Sequence, residues 1–246
     1  MSFLCTACGR CCNSPPALTL AELYAHEARF VGCLAVGRAA DGEFVFATQA
    51  HDYPSLARCP ALADDGRCAL HDAGKPGMCR VVPLDPRQPE AAQPVLLHRR
   101  LAEAAWMQAD CLADGVRAGH VPLVDDEGRI ADPGYRADWL AQRAALADEG
   151  PAWRDELAAW LAPELARLPP PAPGGWLALS LVPVLAVRAR RSPEEAARGH
   201  RYAAAQAALI EANVARAVAR RDARDRAFTA ELRRFAGQYR AWAGAA

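Results

Sequence analysis

Four cysteines within the first dozen residues constrain this 246-residue chain more than any other feature of its sequence. They form the pattern Cys5-x-x-Cys8-Gly9-x-Cys11-Cys12, and further cysteines follow at Cys59, Cys68, Cys79 and Cys111. Thiolates two residues apart can surround a single metal centre, because the turn between them lets successive sulfurs point inward. The pattern therefore predicts a bound metal, as an iron–sulfur cluster or as zinc, near the start of the chain.

Cysteine usage also indicates where the protein resides. The first residues contain neither the basic segment nor the apolar segment of a secretory signal, so we expect a cytoplasmic protein. Without export, clustered cysteines indicate metal or redox chemistry, and the odd total of nine argues against a fully paired disulfide framework. Cys33 stands alone between the two cysteine groups, and we expect it to be a buried small side chain rather than a ligand.

Charge and hydropathy narrow the range of partners. The 29 basic residues balance the 29 acidic ones, so no overall field attracts nucleic acid or an anionic membrane. The longest apolar run, residues 176–187, is shorter than the roughly 20 residues of a membrane span and is interrupted by Pro183. We expect no nucleic acid and no membrane-spanning segment, and a protein partner is left open.

The distribution of residue types predicts two parts. The cysteines end at Cys111, and the sequence beyond is rich in alanine and arginine, which favours helix. We predict a mostly α fold with an irregular, metal-stapled, cysteine-rich N-terminal region and a helical C-terminal part. The boundaries predicted are residues 1–125 for the cysteine-cluster domain and 126–246 for a helical region packed on it.

Several local elements can be predicted in the cysteine-rich part. Thr19 and Glu22 form a capping box that predicts a helix through about Phe30, and residues 43–48 have the composition of a short strand. A further helix is predicted at residues 101–108. Residues 56–86 are rich in Gly, Pro and Asp, so we expect mostly turns there, stabilised by metal ligation in place of a large apolar core.

The C-terminal part has clearer helical patterns. Helices are predicted at 138–147 and 152–168, with apolar stripes that include Leu140 and Trp160, and residues 169–175 form a Pro/Gly connector. Ser192 is a strong N-cap because proline and glutamate follow in the first turn. Beyond it we expect two helices, the second carrying an apolar seam of Phe228, Leu232, Phe235, Tyr239 and Trp242 that packs on the same chain.

The cysteine spacing itself bears on the kind of metal. Bacterial ferredoxins hold clusters with Cys-x2-Cys-x2-Cys and a further Cys-Pro, and here Cys5, Cys8 and Cys11 have that spacing while Cys59 precedes Pro60. Structural zinc usually takes two close Cys pairs, and no second close pair follows the first. The spacing favours iron–sulfur over a zinc finger.

The adjacent pair Cys11-Cys12 leaves several alternatives open. Neighbouring side chains are expected to diverge, so Cys12 either serves a second metal, or packs, or ligates another iron of a multinuclear cluster. The candidate ligands are Cys5, Cys8, Cys11, Cys12, Cys59, Cys68, Cys79 and Cys111. These eight thiols would suffice for two centres of four thiols each, or for one cluster with spare thiols.

His71 lies between two of these thiols, but we expect it at the surface or beside the ligands. Arg80 follows Cys79, and two partners are considered for it, a cluster sulfide or Asp85.

The combined pattern resembles the YkgJ-type cysteine cluster family, which is described as zinc- or iron-chelating. The family pattern is Cys-x2-Cys-Gly-x-Cys-Cys, a Leu-Thr helix start, Cys-Pro, Cys-x-Ile-Tyr and Arg-Pro-x-x-Cys-Arg. This chain has Cys5-Thr-Ala-Cys8-Gly9-Arg-Cys11-Cys12, Leu18-Thr19, Cys59-Pro60, Cys68-Ala-Leu-His71 and Lys75-Pro76-Gly-Met-Cys79-Arg80. The resemblance covers residues 5 to about 84, with His71 in place of tyrosine, Lys75 in place of arginine, and one apparent extra residue between Cys68 and Cys79.

These observations together predict a metal-binding cysteine cluster protein. The leading hypothesis is an iron–sulfur protein that acts in electron transfer or carries the cofactor of a modifying reaction. One alternative is a structural zinc-binding interaction module. Another is a protein lysine N-methylase-like enzyme, since flagellin lysine N-methylases look similar in the same cluster. The sequence identifies no catalytic residue and no methyl-donor site.

Overall fold

The computed structural model describes residues 1–39, 42–72, 74–102, 111–167 and 176–245 of the chain. The chain is about half helical and contains two small antiparallel sheets. It divides into two compact units: unit 1 is formed by Met1–Pro16 and Arg58–Ala147, and unit 2 by Ala17–Ala57 and Asp148–Ala246. The helical content predicted from the sequence is therefore roughly confirmed, and the sheets are an addition to it. The domain boundary at residue 125 stays a prediction.

The α-helices, in chain order, are α1 Leu20–Ala25, α2 Gly77–Arg80, α3 Gln93–Ala102, α4 Pro133–Glu149, α5 Asp155–Leu165, α6 Val182–Ala189, α7 Pro193–Arg220 and α8 Arg226–Ala243. The strands are β1 Ser2–Phe3, β2 Val31–Arg38, β3 Phe44–His51, β4 Leu112–Ala113, β5 Val121–Pro122 and β6 Leu177–Ser180. Short 3₁₀ turns occupy Glu90–Ala92 and Ala223–Asp225, and a π-helical turn occupies Gly150–Arg154. No helix in the described ranges is both long enough and apolar enough to cross a bilayer.

Unit 1 has a small sheet and one apolar core. The sheet order is β4-β1-β5, with both neighbours antiparallel to β1. The core contains Phe3, Val81, Leu84, Leu97, Cys111, Leu112, Leu123, Ile130 and Trp139. The buried Gln93 side chain accepts the Asp85 N–H at 2.9 Å and donates to the Asp85 carbonyl at 2.8 Å. These bonds fix the irregular chain before α3, because buried backbone groups need partners.

Unit 2 is built on a sheet of order β3-β2-β6 with the long helices α7 and α8. The central strand β2 pairs antiparallel with β3 from Val31↔His51 to Arg38↔Phe44. The Tyr239 hydroxyl on α8 donates to the Gly32 carbonyl at 3.0 Å and accepts the Leu181 N–H at 2.9 Å. The buried seam residues Leu232, Phe235 and Tyr239 therefore pack on their own chain, as predicted.

The predicted helix starts are confirmed, but the first helix is shorter than expected. Thr19 and Glu22 form the complete capping box, and Ser192 accepts the Glu195 N–H at 3.1 Å. Helix α1 ends at Ala25 instead of about Phe30, since residues 26–29 form turns that lead into the central strand β2 at Val31. Strand β3 confirms the strand predicted at 43–48 and extends it to His51.

Two apolar residues of the predicted helical stripes are not buried. Leu140 on α4 is 44% exposed and Trp160 on α5 is 52% exposed. The guanidinium of Arg190 lies 5.5 Å from the Trp160 ring, a cation–π contact that a surface tryptophan can make. Most of the predicted helix at 101–108 and the connector at 169–175 lie outside the described residues.

Candidate metal centre

The eight candidate ligands all belong to unit 1, whereas Cys33 belongs to unit 2. No disulfide links any of the nine cysteines, and all nine lie in described parts of the chain. Cys5 and Cys8 are exposed, Cys59 and Cys111 are buried, and the remaining four thiols of unit 1 are half-buried. Two long stretches of sequence thus contribute thiols to one compact unit.

The sheet of unit 1 brings the start of the chain next to Cys111. Phe3 on β1 pairs with Leu112 on β4, and the Leu4 N–H donates to the Cys111 carbonyl at 2.8 Å. Cys5 follows Leu4 directly. Since β1 and β4 are antiparallel, Cys5 and Cys111 lie at the same end of this ladder.

The loop after β1 turns sharply around Cys8. Ala7 has a φ of 53° and Gly9 a φ of 71°, so residues on both sides of Cys8 adopt the left-handed conformation. A Cβ on Gly9 would overlap the carbonyl oxygen of Gly66 and lie 2.6 Å from Leu62 Cδ1. Glycine at this position therefore allows the N-terminal loop to lie directly against the 62–66 segment.

The second cysteine segment is joined to the first by a backbone hydrogen bond. The Cys59 N–H donates to the Cys12 carbonyl at 2.8 Å, and the Ala61 N–H donates to Cys59 Sγ at 3.4 Å. Leu62 forms an antiparallel bridge with Cys68. N–H donors to sulfur stabilise thiolates and tune metals bound to them.

Cys11 and Cys12 contact each other through their side chains, contrary to our expectation that they diverge. A hydrogen bond from Cys12 lowers the pKa of Cys11 to about 6 against the opposing effect of burial. The same bond, burial and the nearby charges of Cys11, Cys59 and Cys68 raise the pKa of Cys12. The two thiols therefore carry one negative charge between them more readily than two, because adjacent thiolates repel each other.

Cys79 and Cys111 have different thiol neighbours. Burial and then the charges of Cys59, Cys11 and Cys68 raise the pKa of Cys79 to about 12. Burial and then the charges of Cys8, Cys11 and Cys5 raise the pKa of Cys111. The thiols of unit 1 are close enough to influence one another electrostatically.

Lys75 is a site residue that sequence analysis missed as a functional candidate. Its ammonium favours both thiolates: it adds to the lowering of the Cys11 pKa by the Cys12 hydrogen bond, and it offsets part of the rise that burial causes in the Cys79 pKa. Composition was the one hint in the sequence that Lys75 is unusual, because it is the only lysine among 29 basic residues. A backbone hydrogen bond joins the residue after Lys75 to Cys79, since the Pro76 carbonyl accepts the Cys79 N–H at 2.9 Å.

The side chain of Arg80 does not pair with Asp85, and its bond to a cluster sulfide stays a prediction. Its guanidinium donates to the Lys75 carbonyl at 2.9 Å and pairs with Asp138 at 3.3 Å. Asp85 is instead held by Arg87 at 2.9 Å. The His71 N–H donates to the Cys68 carbonyl at 3.1 Å, so His71 closes the turn that begins at Cys68.

The thiols of unit 1 are suitable metal ligands, but their side chains are not arranged around a common centre. Structural zinc and iron–sulfur clusters both take four thiolates, and unit 1 supplies eight thiols. Across the described ranges, no three His, Cys, Asp or Glu side chains are close enough together to hold a metal ion as they stand. Ligation would thus require thiol side chains to turn toward a common centre.

Comparison of the chain with protein-family models, with curated proteins and with solved structures finds no match.

Proposed function

We propose that this protein binds metal through the thiols of unit 1, most naturally as iron–sulfur. The observation that supports the proposal most strongly is that all eight candidate thiols share one compact unit. Backbone hydrogen bonds between Leu4 and Cys111 and between Cys59 and Cys12 join segments that are far apart in sequence. An iron–sulfur cluster at this place would supply electron transfer or the cofactor of a modifying reaction, in a cytoplasmic setting.

The residues of this chain would contribute to such a centre in distinct ways. Thiols would supply the ligands, the Ala61 N–H would bond the Cys59 sulfur, and the charge of Lys75 would favour the thiolates of Cys11 and Cys79. The alternative, a structural zinc module, would use the same thiols to stabilise the turns of residues 58–80. Colour separates the two, because zinc has a filled d shell and is colourless while iron–sulfur proteins are brown.

Cys8→Ser is expected to lower the metal bound per chain, whereas Cys33→Ala is expected to leave it unchanged. Cys8 is exposed, so serine removes a ligand with little effect on packing. Cys33 is fully buried in β2, where burial raises its pKa to about 12, and its loss should cost about 1 kcal/mol of stability. Elemental analysis of both variants after anaerobic purification makes the comparison. Equal metal content in Cys8→Ser and the parent chain would refute ligation by Cys8.

Lys75→Gln is expected to weaken zinc binding to the metal-free chain by about fivefold, which corresponds to about 1 kcal/mol of a solvent-screened charge interaction. A tetrathiolate site is anionic, so a nearby ammonium stabilises the bound state. Lys75→Arg is the matched control because it keeps the charge and should retain most of the affinity. Competition with a chromophoric chelator measures both. Equal affinities for the Gln and Arg variants would show that the charge of Lys75 has no role.

A further inference from the structure

The hairpin of α7 and α8 has a strong local excess of positive charge. Residues 216–240 contain eight arginines and three acidic residues, although the chain as a whole has no net charge. The ion pairs of these arginines are Arg220–Asp225, Arg224–Asp222, Arg234–Glu231 and Arg240–Glu211. Arg226 and Arg233 on α8 are exposed, and neither forms an ion pair with any residue that the structure describes. The outer surface of α8 therefore presents unpaired positive charge to solvent.

The exposed arginines of α8 share one face of the helix with small residues. Arg226, Arg233 and Arg240 follow one another at seven-residue intervals, and the exposed residues between them on this face are Ala230 and Gly237. Seven residues make two turns of an α-helix, so successive arginines are about 10 Å apart along α8. A second helix lying against this face would repeat its side chains with the same period, and the small residues would allow it to approach closely.

Helix α7 adds an apolar side chain next to this face. Because Arg240 pairs with Glu211, the side of α7 that carries Glu211 lies beside the arginines of α8. Ala215 and Val218 are on that same side of α7, four and seven residues after Glu211. The short connection makes the two helices antiparallel, so Val218 lies near the level of Arg233, seven residues before Arg240. Val218 is 53% exposed, so an apolar side chain is open to solvent beside the unpaired arginines.

We propose that the exposed face formed by Val218 of α7 and by Arg226, Ala230, Arg233 and Gly237 of α8 is a docking surface for an acidic, amphipathic helix of a partner protein. Carboxylates at seven-residue intervals on that helix would pair with the two arginines, and an apolar side chain between them would cover Val218. The phosphates of a nucleic acid or a membrane would pair with the arginines but would leave Val218 in water, so they fit the surface less well. The surface belongs to unit 2 and does not depend on the thiols of unit 1.

Peptide binding to the full-length chain tests this proposal. The probe is a fluorescent, alanine-rich helical peptide about three heptads long, in which each heptad carries one leucine with glutamates on either side. Its control has the same composition with the leucines and glutamates in scrambled order. We expect the heptad peptide to bind in the micromolar range, about ten times more tightly than the scrambled one. Fluorescence anisotropy measures both at about 50 mM salt, because higher ionic strength screens exposed charges.

Three variants assign the binding to this surface. Arg226→Glu with Arg233→Glu should weaken binding of the heptad peptide by about tenfold or more, and Val218→Ala should weaken it by about threefold. The control, Arg99→Glu with Arg117→Glu, makes the same change of charge at exposed arginines of unit 1 and should keep the affinity within about twofold. All these positions are exposed, and circular dichroism confirms that each variant is folded.

Several results would overturn the proposal. One is that neither peptide binds, that both bind equally, or that the control variant loses as much affinity as Arg226→Glu with Arg233→Glu. Another is that a DNA duplex of random sequence or a phosphatidylserine vesicle binds more tightly than the heptad peptide and is unaffected by Val218→Ala, since the surface would then recognise phosphate. A third is a dimer of the parent chain in sedimentation that the double arginine variant dissociates, since the occupant would then be a second copy.

Discussion

Gly9→Ala is expected to destabilise the metal-free chain by about 3 kcal/mol and to weaken metal binding at the same time. Part of the cost is the left-handed conformation, which penalises a Cβ by about 1–2 kcal/mol. The rest is the overlap of that Cβ with the carbonyl oxygen of Gly66, which backbone movement must relieve. Moving the loop away from Gly66 would also move Cys8 and Cys11 away from the segment that carries Cys59 and Cys68.

Gly115→Ala provides the matched control. Gly115 has a φ of 73°, close to the 71° of Gly9, but a Cβ there would meet no atom of the described residues within 4 Å. Its substitution should therefore cost only the conformational part, about 1 kcal/mol. Urea denaturation of the reduced, metal-free variants measures both costs. Equal destabilisation by the two substitutions would show that the Gly9–Gly66 contact does not hold the N-terminal loop.

Gln206→Leu is expected to destabilise the protein by about 3–5 kcal/mol, the largest effect predicted for unit 2. The side chain is fully buried on α7. It accepts the Gly32 N–H at 2.8 Å and donates to the Glu27 and Phe30 carbonyls at 2.8 Å and 3.0 Å. Leucine has similar volume but leaves three backbone groups without those partners at the start of β2, and each costs about 1–3 kcal/mol when buried.

Gln238→Leu makes the same chemical change at an exposed position of α8 and should alter stability by less than about 0.5 kcal/mol. Thermal unfolding of the full chain compares the two variants with the parent. A melting temperature for Gln206→Leu that matches that of Gln238→Leu would contradict the bridging role assigned to Gln206.

Helix starts were predictable from sequence because their signals are local. The capping residues Thr19 and Ser192 act within one turn, and the structure confirms both. The central strand β2 was missed because its residues are buried almost continuously, which removes the alternating pattern of a half-buried strand. Gln206 could not be recognised either, since its partners lie 174 or more residues away in sequence.

In the candidate site, too, features set by neighbouring residues could be predicted from sequence, whereas features set by residues far apart in sequence could not. Spacing alone identified the thiols of the N-terminal loop, but not the position of Cys111 opposite Leu4, which depends on the register of β1 with β4. The side-chain contact between Cys11 and Cys12 also ran against the expectation from sequence, because the conformation of the loop determines where both sulfurs point. Lys75 is far from Cys11 in sequence, so the effect of its charge on the Cys11 thiol can be recognised only from the folded structure.

Metal and acid-labile sulfide content of the anaerobically purified full-length chain decides whether unit 1 holds an iron–sulfur centre. We expect a brown protein that contains iron and labile sulfide in about equal amounts. Zinc without labile sulfide would keep the thiol site and replace iron–sulfur with the structural zinc alternative. A folded chain that carries all its thiols reduced, and neither iron nor zinc, would contradict the account.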